Sequence, residues 1–225
     1  MTSHKNRYYR PIHQLKKLSS LTNEHGFFYE EVSDFEKNAD PDEVRSEVEA
    51  QILTAISLGI QPTHLDSHAG CILGLYHNRD FLEVIFKLCE KYALPFCLPV
   101  RILEHPSFSS AQKERFRQRI HLANRLGVRL IDDIAGLPYQ LLRGEGYEEA
   151  KKDLITQIHH LKPGITQITT HPAIVSDELK ELTAHYEKRE IEYQLFNDPD
   201  VRELMKNLSI KLTSWKKIRD LQRKS

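Results

Sequence analysis

The sharpest chemistry-bearing run in the chain is Pro62-Thr63-His64-Leu65-Asp66-Ser67-His68. In an extended segment every second side chain shares a face, so His64, Asp66 and His68 project together. Two imidazoles and a carboxylate on one face can hold a divalent cation or move a proton. The same run also suits a polar strand end with satisfied histidines, and the spacing alone leaves both readings open. A second run, Thr169-Thr170-His171-Pro172, follows the apolar stretch Ile165–Ile168. Pro172 biases His171 away from helical geometry. A histidine at such a turn can act as general acid or base near neutral pH, although a lone His-Pro is more often an ordinary turn.

Three weaker candidates stand beside these. Asp132-Asp133 closes the apolar stretch that begins at Val128. An acidic pair there can bind substrate or metal, or orient a histidine, and it caps a loop as often. Arg101 ends the stretch from Leu94 and suits a substrate oxygen, with a surface ion pair as the plainer alternative. Arg189 and Glu190 fall on a predicted helix, where a solvated face is the default. His25, His77, His105, His121, His159, His160 and His185 carry no supporting pattern. Neither a Gly-rich phosphate loop nor a GxSxG nucleophile elbow is present.

The elements that must position these residues follow from periodicity and caps. Residues 1–38 read as polar and irregular, a long loop. Asp40 then caps a helix whose first turn holds Pro41 and Glu43. Val44, Val48, Ile52 and Ile56 form its apolar face, and Gly59 ends it. Ile60 to Leu65 reads as a strand. Further helices carry Phe81 to Tyr92, Ser110 to Ala123 and Tyr147 to Leu161. Strands are expected at Leu94 to Arg101, Val128 to Ile134, Ile165 to Thr170 and Ile210 to Leu212. A helix capped near Asp198-Pro199 and another at Trp215 to Leu221 complete the pattern. Strands alternating with helices predict α/β architecture, a parallel sheet rolled toward a (β/α) barrel with helices around it. With about five strands in view, the barrel is expected to be incomplete or distorted. No linker or repeat divides the sequence, so residues 1–225 are read as one domain.

Composition narrows the function. The 225 residues carry 32 basic and 32 acidic side chains, and zero formal charge argues against a nucleic-acid binder. Cys71, Cys89 and Cys97 form no CxxC pair and read as reduced, buried thiols. The first residues hold no apolar signal core, and no apolar run approaches the ~18–20 residues that span a bilayer. A cytoplasmic protein without a membrane partner is the expectation.

Several segments together resemble the YdjC-like family, which includes chitooligosaccharide deacetylases. They are Tyr9-Arg10-Pro11, Leu21 to Phe28, Gln51 to His68, Ile168 to Ala173 and Arg189 to Pro199. The likeness runs along nearly the whole chain in order, and the pairing of Thr63–His68 with Thr170–Ala173 makes it specific. It implies a barrel-like fold and hydrolysis of an N-acetyl group from an acetylated sugar or oligosaccharide. It also implies a divalent ion, magnesium or zinc, held by one Asp and two His. Residue by residue, His68 matches a metal ligand, His64 and Asp66 its supporting neighbours, and His171 the proton-transfer histidine. The reading as a whole expects His68 and His171 to face a common pocket.

The sequence departs from the family pattern in two places. An opening strand with an Asp-Asp-Phe-Gly motif and a later His-Leu-Thr segment, which supply the other ligands, do not occur here. The expectation is that the chain starts inside a longer family sequence and lacks the first strand. It should then hold metal weakly and hydrolyse little. A non-catalytic remnant acting as a binding module, and another metal-dependent barrel hydrolase such as a phosphoesterase, stay open as alternatives, as does a homodimer.

Overall fold

The structure, a computed structural model, describes residues 7–13 and 18–224. In chain order its helices and strands begin with α1 (Val32–Asn38), α2 (Pro41–Ser57), α3 (Leu82–Tyr92), α4 (Ser110–Arg125) and β1 (Asp133–Gly136). There follow α5 (Tyr147–His159), β2 (Thr166–Thr169), α6 (Asp177–Leu182), α7 (Tyr186–Leu195), α8 (Pro199–Asn207) and α9 (Trp215–Gln222). The chain divides into two compact units, Met1–Leu130 with Ser214–Ser225, and Ile131–Thr213. Among the described residues no helix is long and apolar enough to cross a membrane.

In the first unit the caps act as the sequence predicts, with one exchange of roles. Asp40 accepts from the amides of Asp42 and Glu43 at 2.9 and 3.1 Å. Glu43 does not close a box on Asp40. It accepts from the Ser20 amide and hydroxyl, and Ser20 Oγ in turn accepts from the Asp40 amide. Gly59, at φ 81°, adopts the left-handed turn that stops α2. Phe35, Phe81, Phe86, Phe96 and Phe116 are fully buried. Phe35 meets Phe81, and Phe86 meets Phe96, edge to face at 5.6 Å, a geometry that suits the ring quadrupoles.

The expected barrel is overturned. The fold is 49% helix and 7% strand, with a two-stranded open sheet, so among the described residues there is no barrel-like parallel sheet. In the first unit the apolar stretches predicted as strands are extended but barely laddered. Leu65 and Phe96 form one isolated parallel bridge, and Phe96 N donates to Arg129 O at 3.0 Å. Pro62, Pro95 and Pro99 interrupt these stretches, and a proline has no N–H to donate. Arg101 lies in the short 3-10 helix Val100–Glu104, not at a strand end. Residues 32–38, expected as loop, form α1, while residues 1–6 and 14–17 of that stretch lie outside the described residues. Ile210 to Leu212 is not a strand; Ile210 N instead closes the end of α8 on Met205 O at 2.9 Å.

In the second unit β1 and β2 pair in parallel, Asp133 opposite Thr166 through Gly136 opposite Thr169. Asp132-Asp133 therefore opens a strand instead of closing one. Ala150, Leu154, Ile158, Leu195 and Val201 form the core that α5, α7 and α8 share. Inside it Lys188 pairs with Glu145, both side chains almost wholly buried. Asp198 caps α8 through Asp200 N at 2.8 Å and also receives Tyr147 Oη and Lys151 Nζ. Lys151 first, then Tyr147, holds its carboxyl down at about 2.

A carboxyl lowered by folding stabilises the native state above its unfolded pKa, and that stabilisation is lost as pH falls toward the folded value. The stability difference between the natural chain and Asp198→Asn is thus expected to be full above about pH 4. It should shrink as pH falls from there toward about 2. Urea denaturation of both proteins across that range checks this, and a constant difference would contradict it.

Candidate functional site

In the first unit a cavity of ≈ 290 Å³ opens over an apolar floor of Val48, Ile52, Ile85 and Phe96. Val48 and Ile52 come from the buried face of α2, Ile85 from that of α3. His64, Asp66 and His68 all border this cavity, so the structure brings the three residues of the first run to one space. After Ser67 the chain turns into the short 3-10 helix His68–Gly70. Ser67 fixes that turn twice: its carbonyl accepts from Gly70 N at 3.1 Å and its hydroxyl from Ile72 N at 3.3 Å. Ala69 sits at φ 51°, a conformation that costs an alanine energy and commonly accompanies functional turns.

The groups at the rim differ in setting. Asp66 is exposed and its Oδ1 accepts from Ser67 N at 2.7 Å. His68 is exposed as well. His64 is half-buried, with Thr63 Oγ1 3.0 Å from its Nδ1 and the Trp215 ring stacked on its face at 4.2 Å, 3° from parallel. Burial lowers the His64 pKa, and the nearby Asp66 carboxylate opposes that shift only in part. The imidazole is accordingly neutral at neutral pH. Among the described residues no three His, Cys, Asp or Glu side chains are grouped so that they could hold a metal ion. These donors alone do not fit the divalent ion that the family resemblance implies.

The loop that continues from Cys71 and Ile72 along the cavity is held from outside. Glu36 on α1 is completely buried and accepts from the amides of Tyr76, His77 and Arg79 at 3.0, 2.5 and 3.1 Å. Arg115 on α4 donates to Gly74 O at 2.8 Å and to Asn78 Oδ1 at 2.9 Å. Sequence reading overlooked Glu36, although it falls four residues after Val32 on the buried face of α1.

In the second unit β2 runs into the exposed His171. Its amide donates to Glu192 Oε2 at 2.6 Å, and its carbonyl accepts from Arg189 Nη1 at 3.3 Å. Arg189 Nη2 also donates to Tyr139 Oη at 2.8 Å. The Tyr139 ring stands edge-on to His171 at 5.0 Å and to His185 at 5.2 Å. Tyr139, Arg189 and Glu192 thus contact the predicted histidine and His185 contacts Tyr139; sequence reading gave Tyr139 and Glu192 no role, His185 no supporting pattern and Arg189 a solvated helix face. Arg189 is half-buried and working, not part of a solvated face.

The remaining candidates, Asp132 and Arg101, are not among the residues that line the cavity of the first unit. Asp132 Oδ2 accepts from Ile165 N at 2.7 Å, and a side chain at Gly164 would fall 2.6 Å from that carboxylate. This aspartate organises the start of the sheet. Arg101 does not line the cavity. His68 belongs to the first unit and His171 to the second.

Residues 2–207 match a family profile described as YdjC-like protein. A carbohydrate deacetylase of Thermoanaerobacter pseudethanolicus is 30% identical over 206 residues, covering 92% of this chain and 72% of the relative. One from Thermus thermophilus is also 30% identical, over 92% of this chain and 71% of the relative. A crystal structure from Enterococcus faecalis V583, described as a candidate cellobiose-phosphate cleavage protein, superposes with a TM-score of 0.70. It is 25% identical, and the alignment covers 96% of this chain and 74% of that one.

Proposed function

Because the chain belongs to the YdjC-like family of carbohydrate-deacetylase-type hydrolases, we propose that it acts on an acetylated sugar and receives it in the cavity of the first unit. The observation that carries this reading is the pairing of an apolar floor with a rim of His64, Asp66 and His68. An acetamido group has both faces of that chemistry: its methyl gains from burial, and its amide must keep hydrogen-bonding partners. A volume of ≈ 290 Å³ matches a small-ligand pocket and suits one sugar unit with its acyl group.

Deacetylation replaces the C–N bond of the amide by a C–O bond from water. The water must lose a proton and the departing amine must gain one. Asp66, exposed at the rim, is the carboxylate assigned to accept a proton, and neutral His64 a hydrogen-bonding partner for the sugar. The family resemblance assigns proton transfer to His171, which lies in the second unit. Glu192 and Arg189 hold its backbone on both sides and leave the imidazole exposed. No role for a bound cation enters these assignments, since the described donors do not fit one.

Calorimetric titration tests the reading. N,N′-diacetylchitobiose is expected to bind saturably, and fully deacetylated chitobiose at least about tenfold more weakly, because the apolar floor then loses its methyl group. Equal affinity for the two sugars, or binding of neither, would contradict it.

A further inference from the structure

We infer that α9 is a positioning element for the cavity, with Trp215 and Arg219 holding the segment Pro62–His68 in place. The match to the family profile ends at residue 207, so α9 lies beyond the matched segment. Two contacts tie it to the Pro62–His68 segment that carries the rim, and a third to Arg129, whose carbonyl accepts from the amide of the cavity residue Phe96. Trp215 covers one face of the His64 imidazole, stacked 3° from parallel. Arg219, 4% exposed, donates from Nη1 to Pro62 O at 3.0 Å. Gln222 Oε1 accepts from Arg129 N at 2.8 Å.

The arrangement exceeds what packing alone requires. Ile218 supplies the apolar anchor of α9. Arg219 sits next to it on the same buried face, where an apolar residue would bury more cheaply. Its guanidinium is satisfied by the Pro62 carbonyl and by Asp220 Oδ1, at 3.2 Å from Nε and 3.0 Å from Nη2. Pro62 opens the chemistry-bearing run, and His64 is its first histidine. With one face against indole and its Nδ1 beside Thr63 Oγ1, the imidazole is confined to a single plane at the cavity edge. Parallel stacking of this kind is a directional contact that a branched aliphatic side chain does not reproduce.

Amide hydrogen exchange on the full chain separates positioning from general support. In Trp215→Ala the Leu65 amide, which donates to Pro95 O, is expected to exchange about tenfold faster while the Phe86 amide of α3 is unchanged. Trp215→Phe should restore the Leu65 rate. Trp215→Leu, which keeps bulk without a ring, replaces the alanine variant if that fails to fold, and should behave like it. Leu65 and Phe86 accelerating together would overturn the inference, because α9 would then serve only overall stability.

The inference concerns the cavity of the proposed function, and a second arm uses its sugar. Affinity for N,N′-diacetylchitobiose is expected to fall up to about tenfold in Trp215→Ala and to recover in Trp215→Phe. Unchanged affinity in a variant whose Leu65 exchange has accelerated would also overturn it. If the natural chain binds no sugar, the proposed function fails alone, and the exchange comparison still decides the role of α9.

Discussion

Glu36→Ala is expected to destabilise the chain by about 3–5 kcal/mol, one of the two largest effects of any single substitution considered for this protein. The carboxylate is completely buried and accepts from three successive loop amides, those of Tyr76, His77 and Arg79. Hydrogen bonds to a charged acceptor contribute about 1.5–3 kcal/mol each, and part of that returns when the freed amides reach water. Tyr76 is already exposed, so the expected loss falls near or below the low end of the sum of three. Glu36→Gln keeps one accepting oxygen and should fall between the two. The same loop runs back to Cys71 and Ile72 on the cavity wall, so the alanine variant should also bind sugar more weakly. Urea denaturation gives the stability, and a loss under about 1 kcal/mol would show that the loop does not depend on this carboxylate.

Lys188→Ala comes next, with an expected loss of about 3–5 kcal/mol. Lys188 and Glu145 are buried in the second unit with side-chain exposures of 1% and 4%. Removing the ammonium leaves a carboxylate without its counter-charge in a poorly solvated place. Glu145 Oε2 also accepts from Leu142 N at 2.8 Å, a contact worth keeping in any repair. Lys188→Met combined with Glu145→Gln removes both charges and retains that hydrogen bond. The double variant should therefore recover most of the loss, because a buried pair exchanged for neutral groups is often close to neutral overall. Equal destabilisation of the single and double variants would place the contribution in packing instead of charge.

These two buried charges show what was legible in the sequence. Helices were, because apolar spacing and caps are local: Asp40, Gly59, Gly127 and Asp198 mark boundaries close to where the helices begin and end. Buried charges on the same faces were partly legible. Glu36 follows Val32 and Phe35, and Lys188, Glu192 and Leu195 repeat at helical spacing, so each charge sits where periodicity asks for an apolar residue. A charge at such a position predicts a specific partner, and Glu36 and Lys188 have one.

The barrel misreading has an equally local cause. Apolar runs such as Leu94 to Arg101 satisfy the pattern of a buried strand, but a ladder needs donors, and Pro62, Pro95 and Pro99 withhold them. Weighing those prolines against the apolar pattern would have argued for extended chain without a continuous sheet. The surroundings of the site were beyond reach of any such weighing. Trp215 on His64, and Tyr139 beside His171, join residues far apart in sequence, and nothing in their own neighbourhoods announces the contact.

The central claim is that the cavity between α2, α3 and the Pro62–His68 segment holds an acetylated sugar. Its most direct test is a titration of the 15N-labelled chain with N,N′-diacetylchitobiose, repeated with Ala55→Phe, whose new ring would fill the cavity from α2. Saturable shifts confined to the amides around His64, His68 and Ile72, and lost in Ala55→Phe, are the predicted result. Shifts that persist in the filled variant, or that cluster elsewhere in the chain, would contradict it.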